Sequence, residues 1–138
     1  LVEHGGTWCP PTVMVDVTDE MAVVREESFA TVLPVMVVAD EEEAIARANA
    51  TEFGLSAAVF SGDRERAERV ARRLHAGGIS INDAALTGLV QTAEKQSFKC
   101  SGMGGSRMGS ASIRRFVRAR ALLVNTGTDS PWWFPPAA

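Results

Sequence analysis

Val32-Leu33-Pro34-Val35-Met36-Val37-Val38-Ala39-Asp40-Glu41-Glu42-Glu43 is an apolar, β-branched run that ends abruptly in an aspartate and three glutamates. The apolar part has the composition of a strand covered on both faces, as in a parallel α/β sheet. Pro34 belongs at the start of such a strand or at an edge, because it has no N–H for a ladder. Asp40 is placed to cap a following helix, with Glu43 three residues on in a capping-box arrangement and Glu41 and Glu42 suited to the positive end of the helix dipole. The acidic run is therefore read as structural. Ala44, Ile45 and Ala48 supply the inner face of the helix, and Gly54 marks its exit before a strand over 55–60.

The same order continues downstream. Asp63 caps a second helix whose apolar positions Ala67, Val70, Ala71 and Leu74 follow the i, i+3, i+4, i+7 pattern. Glu65 with Arg69 and Glu68 with Arg72 make i, i+4 pairs on its solvated side. His75 in the last turn complements the helix dipole, Gly77-Gly78 ends the helix, and Ile79 to Asp83 starts a third strand. Upstream, Thr12 to Val17 alternates towards a strand. Strands alternating with helices of crossover length predict an α/β fold with parallel strands, half of a doubly wound sheet. Ligands of such sheets bind at the carboxyl ends of strands, where Asn82-Asp83 would lie; a turn-forming Asn-Asp pair is the equal alternative.

Length and composition bound the rest. At 138 residues, 46% apolar and 22% charged, the sequence suits one core of an ordinary globular protein. No apolar run is long enough to span a bilayer, and the first residues carry no leader pattern, so a cytoplasmic address is expected. The lack of an initiating Met fits a chain cut from something larger. Cys9 and Cys100 lie far apart without histidine neighbours, which argues against a zinc cluster or disulfide framework and leaves both as ordinary thiols. The net charge of −3 hides an asymmetry: residues 1–60 hold eleven acidic and two basic side chains, and 61–138 hold six and twelve. The two halves are suited to attract each other or a partner. The arginines alternate with glutamates on helices, so no nucleic-acid face is expected.

Two stretches remain. Residues 97–109, Ser-Phe-Lys-Cys-Ser-Gly-Met-Gly-Gly-Ser-Arg-Met-Gly, read either as a close-packed glycine loop or as a phosphate cradle opening a helix at Ser112. The spacing fits neither the dinucleotide fingerprint nor the P-loop. Ile113, Phe116 and Val117 fall on one side of that helix, Arg114, Arg115, Arg118 and Arg120 face several ways, and Ala121 to Val124 resembles a last short strand. Pro131-Trp132-Trp133-Phe134-Pro135-Pro136 puts three large aromatics near the terminus, where they should dock on this chain, on a further domain or on a second subunit.

Glu26-Glu27-x-Phe29 before Val-Leu-Pro-Val, Glu43-Ala44-Ile45 with Ala48-Asn49, Phe53-Gly54-Leu55-Ser56-Ala57, Arg66-Ala67, Gly77-Gly78-Ile79 with Ile81-Asn82-Asp83, and Lys99-x-Ser101-Gly102-x-Gly104 with Arg107-x-Gly109 form an ordered series. It resembles the C-terminal portion of the NAD(P)-dependent aldehyde dehydrogenase superfamily, in a divergent branch, from about Pro11 to about Val124. The resemblance implies a single partial domain: part of the family's catalytic domain over about 11–110, then a terminal helix and an oligomerisation-type arm over about 111–138. It also implies that Glu27 contacts the nicotinamide ribose of NAD or NADP and that Phe29 packs near the nicotinamide ring. A carboxylate can accept both ribose hydroxyls, and an aromatic wall excludes water from hydride transfer. Strand alternation would put Glu27 and Phe29 on one face and Glu26 on the other.

The sequence departs from the family where Ala30-Thr31 replaces the usual Gly-Pro and where Ser97-Phe98 precedes Lys99 without a glycine pair. In the family's order the nucleophilic cysteine, general base and Rossmann domain lie upstream of this stretch, and neither Cys9 nor Cys100 matches the nucleophile's motif. The expectation is thus a non-catalytic share of an aldehyde-oxidising enzyme, inactive alone, whose partners are missing N-terminal domains or further copies of itself. An oligomerisation or interaction module of the same ancestry, and a small nucleotide-binding protein using residues 101–109, are the rival readings.

Overall fold

The computed structural model describes residues 5–6, 8–105 and 108–127. The tail over 131–136 and Arg107 lie outside the described residues. Two β-α-β units carry the architecture. In the first, β1 (Thr12–Met14) and β2 (Val32–Pro34) pair in parallel across the short α1 (Ala22–Arg25). In the second, β4 (Ser56–Val59) and β5 (Gly78–Ile81) pair in parallel across α3 (Arg64–Ala71). Between them run α2 (Glu41–Ala50) and β3 (Phe53–Gly54), and after them α4 (Leu86–Leu89) and β6 (Phe98–Lys99), with β6 antiparallel to β3. The class is α/β with parallel pairs as expected, but among the described residues the strands form three two-stranded sheets.

Both helix starts follow their sequence signals. The Asp40 carboxylate accepts from the Glu43 N–H at 2.9 Å, and the Glu43 carboxylate accepts from the Ala39 N–H at 2.7 Å. Asp63 accepts from the Arg66 N–H at 3.0 Å. Each cap satisfies a donor that the first turn leaves free. The opposite charges of the two halves meet between the helices: Arg66 pairs with Glu41 at 2.6 Å and Arg73 with Glu42 at 2.5 Å. Bonding to Arg73 holds the Glu42 carboxyl below its ordinary range. Glu68 pairs with Arg72 as expected and also with Arg64, whereas no ion pair joins Glu65 to Arg69 among the described residues.

Several expectations fail for local reasons. The strand expected over 32–39 stops at Pro34: Val35 still gives its N–H to the Met14 carbonyl at 2.8 Å, but Asp16 adopts a left-handed backbone (φ 55°) that turns the chain of β1 away from 36–39. That run is also not covered on both faces: exposure alternates, with Leu33, Val35 and Val37 open and Val32, Pro34, Met36 and Val38 half-buried. Ala48 is exposed, so Ile45 is the buried residue of α2. Gly54 does not end the helix; it lies in β3, where a side chain would sit 2.5 Å from the His75 carbonyl and 2.9 Å from Phe98 Cβ. α3 ends at Ala71, so His75 lies beyond its last turn. The last helix is a 3-10 helix, Ser110–Phe116, and Ile113 and Phe116 on it, with Val117 just past its end, are all exposed. Ala121 to Val124 forms no strand, having no partner strand among the described residues.

The core is small. Ala67 is fully buried, and Ala71 nearly so, where α3 packs on β4 and β5. Val17 and Ile45 are the other buried apolar residues described. Ser80 is buried beside them with its hydroxyl donating to the Ala57 carbonyl at 3.4 Å. No described helix is long and apolar enough to cross a membrane.

Candidate functional site

Glu27 lines a cavity of ≈ 460 Å³ together with Asn49, Leu55, His75, Cys100 and Ser101. Its walls are pinned by side chains. Asn49, at the end of α2, donates through Nδ2 to the Arg73 carbonyl at 2.8 Å and accepts at Oδ1 from the His75 N–H at 2.8 Å. Lys99 Nζ donates to the carbonyls of Asn49 and Thr51 at 2.9 and 2.8 Å, filling the acceptors that the end of α2 leaves open. Ser101 Oγ accepts from the Gly54 N–H at 2.9 Å, and the Cys100 N–H reaches the Glu52 carbonyl at 2.9 Å. Three segments distant in sequence are thus clamped around one opening, with Glu27 on its rim.

The Glu27 carboxylate makes no hydrogen bond or ion pair with any described residue. Its acceptor lone pairs are free for a diol or another donor, which is the chemistry a ribose would require. Phe29 is elsewhere. It has a left-handed backbone (φ 45°), its side chain is 93% exposed, and it lines a second cleft with Trp8, Cys9 and Thr31. Residues 26–31 form no strand, so the alternation that would align Glu27 with Phe29 does not operate. Glu27 and Phe29 therefore line separate clefts.

The remaining candidates resolve into structural roles. Asn82 has φ 55° and uses its amide to hold Ser61, accepting from its N–H at 2.8 Å and donating to its carbonyl at 2.9 Å. Asp83 accepts from the Ala85 and Leu86 N–H groups at 2.6 and 2.9 Å, opening α4. Both therefore serve the turn. The described part of the glycine loop is close-packed at its two ends and open between them: a side chain at Gly102 would lie 2.9 Å from Ser97 Cβ and one at Gly109 (φ 71°) 2.5 Å from Glu94 Cγ, whereas Gly104 and Gly105 have room. Glu94 accepts from Ser110 Oγ and the Ala111 N–H, and so takes the place a phosphate would need. Cys9 and Cys100 are exposed free thiols, and no described group of His, Cys, Asp or Glu is arranged to hold a metal ion.

Asn49, Lys99 and Ser101 build the cavity, yet as isolated letters they carry no such message. The signal available was positional: an amide in the last turn of a helix, and a Lys-x-Ser pair leaving a short strand.

The model of the Aldehyde dehydrogenase family matches residues 2–122. Betaine aldehyde dehydrogenase of Cereibacter sphaeroides is 43% identical over 128 residues, 92% of this chain and 26% of that protein. A solved Anabaena variabilis protein assigned as an aldehyde dehydrogenase, PutA, superposes with a TM-score of 0.82 at 53% identity, over 93% of this chain and 28% of that one. The betaine aldehyde dehydrogenase of Staphylococcus aureus, solved in complex with NAD+, superposes with a TM-score of 0.79 at 34% identity, over 91% of this chain and 24% of that one. The chain spans about a quarter of the length of these relatives. With a family match across nearly all its residues, on a fold shared with solved members, the chain belongs to the aldehyde dehydrogenase family.

Proposed function

We propose that this chain is the C-terminal share of the catalytic domain of an NAD(P)-dependent aldehyde dehydrogenase, which oxidises an aldehyde to a carboxylic acid. The observation that carries the reading is the family match over 2–122 at about a quarter of the relatives' length. The nucleophile, general base and Rossmann domain then belong to the rest of the enzyme, and the isolated chain is inactive. In the assembled enzyme Glu27 accepts the hydroxyls of the nicotinamide ribose, which the unpaired carboxylate on the cavity rim supports. Phe29 screens the nicotinamide ring from water; its uncovered aromatic face is consistent with that task. The cofactor, when bound, supplies the hydride acceptor. NAD is favoured over NADP by the NAD+ complex of the Staphylococcus aureus relative, and betaine aldehyde is the first substrate to test. The enzyme is cytoplasmic and assembles as a homo-oligomer through residues 111–138.

The test is NADH formation from betaine aldehyde, first with this chain alone and then with the chain coexpressed with the N-terminal remainder of the Cereibacter sphaeroides enzyme. The chain alone is silent and the pair is active. In the pair, Glu27→Gln raises KM for NAD+ about tenfold, the value of one charge-assisted hydrogen bond, without moving KM for the aldehyde. Robust oxidation by the isolated chain would overturn the reading, and an unchanged KM for NAD+ would remove Glu27 from it. A non-catalytic interaction module of the same ancestry is the second reading, favoured by the exposed apolar residues of β1 and β2; it predicts association with no NADH.

A further inference from the structure

Trp8 and Phe29 line one cleft of ≈ 450 Å³ together with Cys9, Ala30 and Thr31. The parallel pairing of β1 with β2 brings them there, since it carries the segments that lead into the two strands to the same end of the sheet. Two bonds lace those segments together: the Thr31 hydroxyl donates to the Cys9 carbonyl at 3.1 Å, and the Thr12 N–H donates to the Thr31 carbonyl at 2.9 Å. Trp8 is 69% exposed and Phe29 93%, which leaves both rings largely accessible to a ligand.

An indole and a phenyl ring in one cleft favour a flat ring over an aliphatic chain, because aromatic rings gain from offset stacking and from edge-to-face contact. Their faces also carry the negative side of the ring quadrupole and attract a cation, the indole most strongly. No Lys or Arg is among the residues that line the cleft. A flat ring that itself carries positive charge satisfies both preferences. The oxidised nicotinamide is such a ring, and on reduction it becomes neutral.

We infer that Trp8 is a second aromatic wall of the nicotinamide site and that it binds the oxidised ring in preference to the reduced one. The inference rests on the reading above that Phe29 meets the nicotinamide ring, since a ring set against Phe29 lies in the cleft that Trp8 shares. Trp8 thereby acts on the two ends of the turnover differently. Its indole face holds the cofactor before hydride transfer, when the ring is cationic, and loosens its hold afterwards, when the charge is gone. Nothing on Trp8 itself is oxidised, reduced or protonated.

The experiment pairs the full chain with the N-terminal remainder of the Cereibacter sphaeroides relative and titrates the complex with NAD+ and with NADH by calorimetry. Trp8→Leu raises the Kd for NAD+ about fivefold and changes that for NADH by less than about twofold, the difference being one cation–π contact. Trp8→Phe, which keeps an aromatic face, falls between wild type and Trp8→Leu for NAD+. A Trp8 that only shapes the chain would weaken both forms alike, and that result, or an unchanged Kd for NAD+, would overturn the inference. NADH formation from betaine aldehyde by the same complex tests the underlying reading separately. Activity with equal weakening removes Trp8 alone, whereas a complex that neither reacts nor binds either form of the cofactor sinks the reading and the inference with it. Should the pair fail to assemble, the full chain alone decides, with the methylnicotinamide cation and uncharged nicotinamide as probes. The indole N–H resonance of Trp8, assigned by its loss in Trp8→Phe, is to shift more with the cation than with the neutral ring, and equal or absent shifts would refute the assignment.

Discussion

The Lys99 ammonium donates to the Thr51 carbonyl at 2.8 Å across 48 residues of chain, and by the same Nζ to Asn49 at 2.9 Å. A charged donor here closes the end of α2 and at the same time fixes the segment that leads into the cavity wall. Lys99→Met keeps much of the aliphatic stem and removes both bonds. Because the site is exposed, the expected loss is about 1–2 kcal/mol, below the upper range for charged hydrogen bonds. A urea midpoint shifted by less than the error would show that the lysine is dispensable.

Gly54 is hemmed in by the His75 carbonyl and Phe98 Cβ. Gly54→Ala must displace one of the two segments it joins, at a cost of about 1–3 kcal/mol for overpacking. Its position on the cavity also means that the displacement opens the Asn49 to His75 contact. Amide hydrogen exchange at His75 reads that directly: faster exchange is expected in the variant, and unchanged protection would mean that the backbone yields elsewhere.

Acid should loosen the α2 start before it affects the rest. Glu43 is held below its ordinary range first by the Ala39 N–H and then by Arg47, and Glu42 by its bond to Arg73. A carboxyl with a depressed folded pKa contributes stability that is complete above the unfolded value, about 4.3, and is lost as pH falls through the folded value. Stability is therefore flat from neutral pH to about 5.5 and declines below about 4.3. Glu43→Gln flattens that acid limb; a limb of undiminished slope in the variant would assign the effect to other carboxylates.

Helix starts were legible in the sequence because they are decided locally. Asp40 and Asp63 each need only a donor three residues away, and both find it. The parallel β4–β5 pair and α3 followed from periodicity, since Ala67 and Ala71 share one helical face. What could not be read was anything set by chain segments meeting at long range. Asn49, Lys99 and Ser101 acquire their roles from partners 24 to 50 positions away. Phe29 escapes strand alternation because its backbone, at φ 45°, is not extended.

Pro34 carries a consequence for aggregation. Val35 gives its N–H to Met14, and Thr12 gives its own to Thr31, so the odd positions of β2 point their donors at β1 and the even positions point theirs outwards. Pro34 occupies an outward position and has no N–H to offer. The free edge of the sheet, flanked by open valines, therefore has a gap in the row of donors that another strand would need in order to add. Pro34→Val would complete that row, and faster fibril growth, followed by thioflavin fluorescence, is the expected result. A single missing N–H on the outward edge thus keeps the short strand from templating a fibre.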